Sequence, residues 1–62
     1  MSETWRIARV AYAKNDYKHA HDWLQAALQQ LGGSNEVEGV TRAAVLDHLS
    51  YAKYKVWLLI LL

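Results

Sequence analysis

Residues 7–28 read IARVAYAKNDYKHAHDWLQAAL, and the two periodic apolar faces on either side of a polar pair in this stretch decide the architecture. From Tyr17 onward, Tyr17, Ala20, Trp23, Leu24, Ala27, Leu28 and Leu31 recur at spacings of three and four, the apolar stripe of an amphipathic helix. Before it, Ile7, Ala8, Val10 and Ala11 form a shorter apolar face. Asn15-Asp16 lies between the two, and both residue types favour turns and helix N-caps. The stretch therefore predicts two helices joined by a tight turn. Ala8, Ala20 and Ala27 fall where antiparallel helices must approach closely, while Tyr17, Trp23 and Leu28 fill the space between them. Trp23, inside the stripe, is read as core packing.

Working outward, the chain has no proline, and its glycines are Gly32, Gly33 and Gly39, so LGGSNEVEG at residues 31–39 is the one clear loop. Gly32 and Gly33 suit the left-handed cap that ends a helix. Asn35 followed three residues later by Glu38 resembles a capping box, and Val37, Val45, Leu49, Ala52 and Val56 continue on one face. This predicts a third helix from about Glu36 toward the C-terminus. No segment of useful length alternates with period two, and strands are not expected. The fold class is all-α: a three-helix, tetratricopeptide-like arrangement of one helical hairpin plus one helix.

Sixty-two residues allow one small domain, and a chain this short buries only about 60% of its unfolded surface. Without cysteine, neither a disulfide nor a thiolate metal site can staple it. Seven Lys and Arg residues against six Asp and Glu, scattered singly, give no basic stripe to neutralise phosphates, so nucleic acid is not an expected partner. MSETWRIARV mixes charges where a signal peptide needs about 7 to 15 continuous apolar residues, and no signal peptide is read there. VWLLILL at residues 56–62 is far shorter than the roughly 20 residues a spanning helix needs, so no transmembrane segment is expected.

Two longer stretches carry a resemblance. VAYAKNDYKHAHDWLQAALQQL at residues 10–31, followed after a short loop by VLDHLSYAKY at residues 45–54, resembles the tetratricopeptide-like peptide-substrate-binding domain of the collagen prolyl 4-hydroxylase α subunit. The resemblance covers roughly residues 9–54, and it divides the chain into a domain at 1–55 and an apolar tail at 56–62 outside the family pattern. It implies a concave groove that binds proline-rich, collagen-like peptide and is lined by tyrosines. Residue by residue, the peptide-binding positions it implies are Tyr12 on the first helix and Asp47, His48 and Tyr51 on the third, with Tyr54 next along the same face. His48 stands where the family commonly has tyrosine. The family continues into further helices after the position of Tyr54, so the resemblance also implies a truncated or alternatively spliced product.

Arg9 and Trp5 precede Tyr12 by three and seven residues on the same helical face, and two readings stay open for them. Either they extend the groove, or Trp5 caps the core and Arg9 is a solvated charge. His19 and His21 are two residues apart on a predicted helix, so they diverge and cannot chelate one ion as an i, i+4 pair would. Metal ligands are not expected.

No phosphate loop, nucleophile triad or apolar pair of carboxylates is found, so this chain alone is not expected to be an enzyme. The resemblance implies that the family's procollagen-proline 4-dioxygenase activity, with its iron, 2-oxoglutarate and ascorbate, belongs to a catalytic domain absent from this chain. It further implies the endoplasmic reticulum lumen as compartment and protein disulfide isomerase as family partner. The expected function is a binding module for proline-rich, collagen-like peptides. The alternative is a helical protein–protein interaction or oligomerisation module, self-associating and without a peptide ligand.

Overall fold

Asn15 and Asp16 make the first turn as the sequence predicts. Asn15 adopts φ 63°, the left-handed conformation that asparagine tolerates better than most residues. Asp16 caps the following helix, its carboxylate accepting from the His19 N–H at 3.5 Å and meeting His19 Nδ1 at 2.7 Å. In the computed structural model, which describes residues 2–62, this turn joins α1 (Ser2–Ala13) to α2 (Tyr17–Leu31). Met1, the first residue of the expected domain, lies outside the described residues. Gly32, at φ 58°, ends α2 with its N–H donating to the Gln29 carbonyl.

Two expectations about the loop are corrected. Glu36–Val37 (β1) pairs antiparallel with Val40–Thr41 (β2), Glu36 opposite Thr41 and Val37 opposite Val40. The two residues between them, Glu38 and Gly39, have φ 54° and 80°, the positive angles that a tight type I′ hairpin turn requires. Glu38 is thus held in a turn and cannot serve as the third residue of a helix. α3 consequently begins at Arg42 and not near Glu36, running Arg42–Leu61. Thr41 is its N-cap, with Oγ1 accepting from the Ala44 N–H at 3.1 Å. Arg42 ties the loop back to α2 by donating to the Ser34 carbonyl at 3.0 Å and to the Gly32 carbonyl.

α2 is the central helix, packed on α1 along one side and on α3 along the other. Its stripe of Ala20, Leu24, Ala27 and Leu31 is buried throughout, against Ala8 of α1 and Val45, Leu49 and Ala52 of α3, with Val40 closing the loop end. Ala8, Ala20 and Ala27 expose no surface, so the three backbones do approach as closely as their small side chains allow. Trp23 is the exception to the expected core: it is 39% exposed. It lies one residue off the Ala20–Leu24–Ala27–Leu31 stripe, toward the side of α2 that neither neighbouring helix covers. Val10 is likewise exposed on α1.

The twenty residues of α3 span about 30 Å, longer than either partner helix, so its C-terminal turns overhang the hairpin. The expected tail at residues 56–62 is helical through Leu61. Trp57, Leu59, Ile60, Leu61 and Leu62 there are all exposed. No helix among the described residues is long and apolar enough to cross a membrane.

Candidate functional site

With α2 between them, α1 and α3 run in the same direction and their side chains meet above it. Trp5 of α1 lies edge-on to His48 of α3 with ring centres 5.1 Å apart, and one helical stage further on Tyr12 meets both His48 (4.7 Å) and Tyr51 (5.9 Å). Tyr17, at the first turn of α2, adds edge contacts to Tyr12 at 5.7 Å and Tyr51 at 5.8 Å. Tyr51 then stands 6.4 Å from Tyr54. The result is a ladder of aromatic rings along the seam where α1 and α3 meet, in the edge-to-face and tilted arrangements that ring quadrupoles favour.

This ladder exists because two sequence periods coincide. Trp5 and Tyr12 are seven residues apart on α1, and His48, Tyr51 and Tyr54 are three apart on α3. Each set therefore keeps to one side of its helix. The buried alanines beneath, Ala8 and Ala52 among them, let the helices sit close enough for rings from opposite sides to touch.

The rings are graded from buried to wet. Trp5, Tyr12, Tyr17 and His48 are half-buried, whereas Tyr51 is 42% and Tyr54 52% exposed. Burial pushes the Tyr12 hydroxyl above the ordinary tyrosine value, and the neighbouring Tyr17 and Tyr51 phenols push it further the same way. Tyr12 is thus a firmly protonated donor at neutral pH. His48 Nδ1 lies 2.8 Å from the Ala44 carbonyl, which can only accept, so Nδ1 carries the proton and a neutral ring keeps Nε2 as an acceptor. Asp47, beside His48, is exposed at the lip. Arg9 lays its guanidinium 5.8 Å from the Trp5 ring centre.

Of the sequence-predicted positions, the fold brings Trp5, Tyr12, His48 and Tyr51 into one cluster, with Arg9, Asp47 and Tyr54 on its margins. Two residues of the cluster escaped the sequence reading. The sequence places Tyr17 in the space between α1 and α2, yet its ring also joins the ladder. Lys55 holds its ammonium 5.9 Å from the Tyr17 ring centre and 5.4 Å from that of Tyr51. Its position four residues after Tyr51 was the available signal.

The three histidines do not converge. His19 binds Asp16, His21 lies 3.2 Å from Asp22, and His48 is turned to its own helix. No group of three His, Cys, Asp or Glu side chains able to hold a metal occurs among the described residues. Among the described residues these side chains do not come together as an iron-binding set.

Comparison with known proteins bears on this geometry. Residues 1–59 match the prolyl 4-hydroxylase peptide-substrate-binding domain. The chain is 40% identical over 55 residues to prolyl 4-hydroxylase subunit alpha-1 of Bos taurus, covering 89% of this chain and 10% of that protein. It is 38% identical over 53 residues to the Homo sapiens subunit alpha-1 and 34% over 53 residues to that of Gallus gallus, in each case covering 86% of this chain and 10% of the relative. The chain therefore spans about a tenth of the length of these relatives. No solved structure matches it at a significant level. With nearly its whole length matched, the chain belongs to the prolyl 4-hydroxylase peptide-substrate-binding domain family.

Proposed function

We propose that this chain binds proline-rich, collagen-like peptide in the groove between α1 and α3, as part of or derived from a procollagen-proline dioxygenase α subunit. The observation that carries the reading is the partly exposed aromatic ladder of Trp5, His48, Tyr12, Tyr51 and Tyr54. A polyproline II segment is already extended and rigid, so docking it costs little chain entropy. Flat rings suit pyrrolidine faces, and tyrosine hydroxyls at the rim donate to peptide carbonyls that polyproline II leaves unbonded. Proline has no N–H, so in a Pro-Pro-Gly repeat only glycine offers a backbone donor. In this reading the Asp47 carboxylate accepts from it and sets the register.

In this reading the chain binds and does not catalyse. Iron, 2-oxoglutarate and ascorbate would act in another part of the full subunit. The endoplasmic reticulum lumen and a protein disulfide isomerase partner rest on the family relationship alone.

Titrating a (Pro-Pro-Gly)-repeat peptide against the chain, followed by tyrosine and tryptophan fluorescence, tests the proposal. Saturable binding that Tyr51→Ala abolishes is expected. Binding that Tyr51→Ala leaves unchanged would remove the groove assignment.

A second reading, a self-associating helical module without a peptide ligand, draws on the exposed Trp57, Leu59, Ile60, Leu61 and Leu62 at the free end of α3. It predicts salt-independent dimerisation that Trp57→Ser together with Leu58→Ser eliminates, with no response to the proline-rich peptide.

A further inference from the structure

Where the ladder ends, a cleft opens whose chemistry differs from the rings. It is lined by Asn15, Tyr17, Lys55, Leu58, Leu59 and Leu62, with a volume of about 400 Å³. Lys55, Leu58, Leu59 and Leu62 come from one face of α3, and Asn15 and Tyr17 come from the α1–α2 turn. Three leucines make an apolar wall, and a single cation stands at the junction with the ladder. Lys55 is held there by two aromatic faces, Tyr17 and Tyr51, and no carboxylate lies within ion-pair distance of it among the described residues. The Tyr17 hydroxyl donates to Asn15 Oδ1 at 2.9 Å, which leaves the Asn15 amide hydrogens as donors in the same cleft.

Building on the groove reading above, we infer that this cleft is a carboxylate subsite that takes an acidic side chain of the bound peptide, just outside its proline-rich run. The carboxylate meets Lys55 and the Asn15 amide, and its methylene stem lies on Leu58, Leu59 and Leu62. Charge-assisted bonds of this kind are about twice as strong as neutral ones. The carboxylate comes from a side chain and not from a peptide C-terminus, because chain termini are captured by free backbone N–H groups. Those of the adjoining turn are already committed: Lys14 to Val10 and Ala11, Asn15 to Tyr12, and Asp16 to Ala11.

The spacing adds a second constraint. Asp47 and Lys55 are eight residues apart on α3, about 12 Å along its axis, which about four residues of polyproline II cover. The groove thus carries an acid at one end and a base at the other. A peptide is read with its glycine N–H near Asp47 and its acidic residue about four positions away at Lys55.

The test uses blocked (Pro-Pro-Gly)-based peptides carrying glutamate at one end or the other, matching glutamine peptides, and a glutamine peptide with a free C-terminal carboxylate. One of the two glutamate peptides is expected to bind about three- to tenfold tighter than its glutamine partner, with the advantage shrinking in high salt. Lys55→Gln should erase that advantage, so that the glutamate and glutamine peptides bind the variant equally. Lys53→Gln, an exposed lysine on the same helix, should leave the advantage intact. Equal binding of glutamate and glutamine peptides, an advantage that survives Lys55→Gln, or one that Lys53→Gln removes equally overturns the subsite while the groove stands. A gain seen only with the free terminus overturns the side-chain assignment. If none of the peptides binds, the groove reading itself fails and the subsite falls with it.

Discussion

The Tyr12 and His48 ring centres lie 4.7 Å apart, and this contact joins α1 to α3. His48 is also the edge partner of Trp5 and donates to its own helix at the Ala44 carbonyl. Replacing it by leucine keeps much of the volume and removes the aromatic contacts. Aromatic pairs contribute about 0.5–1.5 kcal/mol beyond area burial, so His48→Leu should lower stability in urea titration by about 1–2 kcal/mol. The Trp5 and Tyr12 ring resonances should move in the NMR spectrum, and proline-rich peptide should bind several-fold more weakly.

Neighbouring residues on α2 should behave in opposite ways. Leu24 exposes no surface, and truncating a buried leucine to alanine costs about 2–5 kcal/mol. In so short a chain Leu24→Ala should abolish the cooperative thermal transition followed by circular dichroism. Trp23, although larger, is 39% exposed, and Trp23→Gln should cost less than about 1 kcal/mol.

Glu38 occupies a left-handed position at φ 54° beside Gly39. Asn-Gly is the pair that a two-residue hairpin turn prefers. Glu38→Asn should stabilise the chain by about 0.5–1 kcal/mol, raising the thermal midpoint by a few degrees.

Alkaline pH should act through Tyr12. Its folded pKa is raised, chiefly by burial, so the folded state holds this proton longer than the unfolded chain does. The associated stability is therefore complete below the ordinary tyrosine range and declines as pH rises through the folded value. Absorbance at 295 nm should show a tyrosine ionising above the ordinary tyrosine value, and Tyr12→Phe should remove that late component.

Acid should act through the Asp16 cap. The hydrogen bond with His19 holds its carboxyl below the ordinary aspartate value. A lowered folded pKa contributes stability that is present above the unfolded value and disappears as pH falls through the folded one. Helicity should drop across that interval, and Asp16→Ala should flatten the drop.

The hairpin of α1 and α2 is readable in the sequence because Ala8, Ala20, Leu24, Ala27 and Leu31 recur with helical period and Asn15-Asp16 punctuates them. The start of α3 is not, since two-residue strands are too short to show alternation and Asn35 with Glu38 imitates a helix start. Trp23 shows that residue size does not decide burial when no element covers that side of the helix. Within the site, the expectation of Tyr12, His48 and Tyr51 rests on the family resemblance, and the structure brings their rings together. The place of Tyr17 in the ladder and that of Lys55 are not legible in the sequence, because they depend on which elements meet across the groove, and periodicity within one helix carries no such information.

Chemical-shift mapping of the isotope-labelled chain during titration with a (Pro-Pro-Gly)-repeat peptide tests peptide binding in the groove most directly. Progressive, saturable shifts should appear at Trp5, Tyr12, His48, Tyr51 and Tyr54, with Trp23 on the far side of α2 unmoved. Absence of shifts along the ladder, or shifts confined to residues 57–62 at the free end of α3, would contradict it.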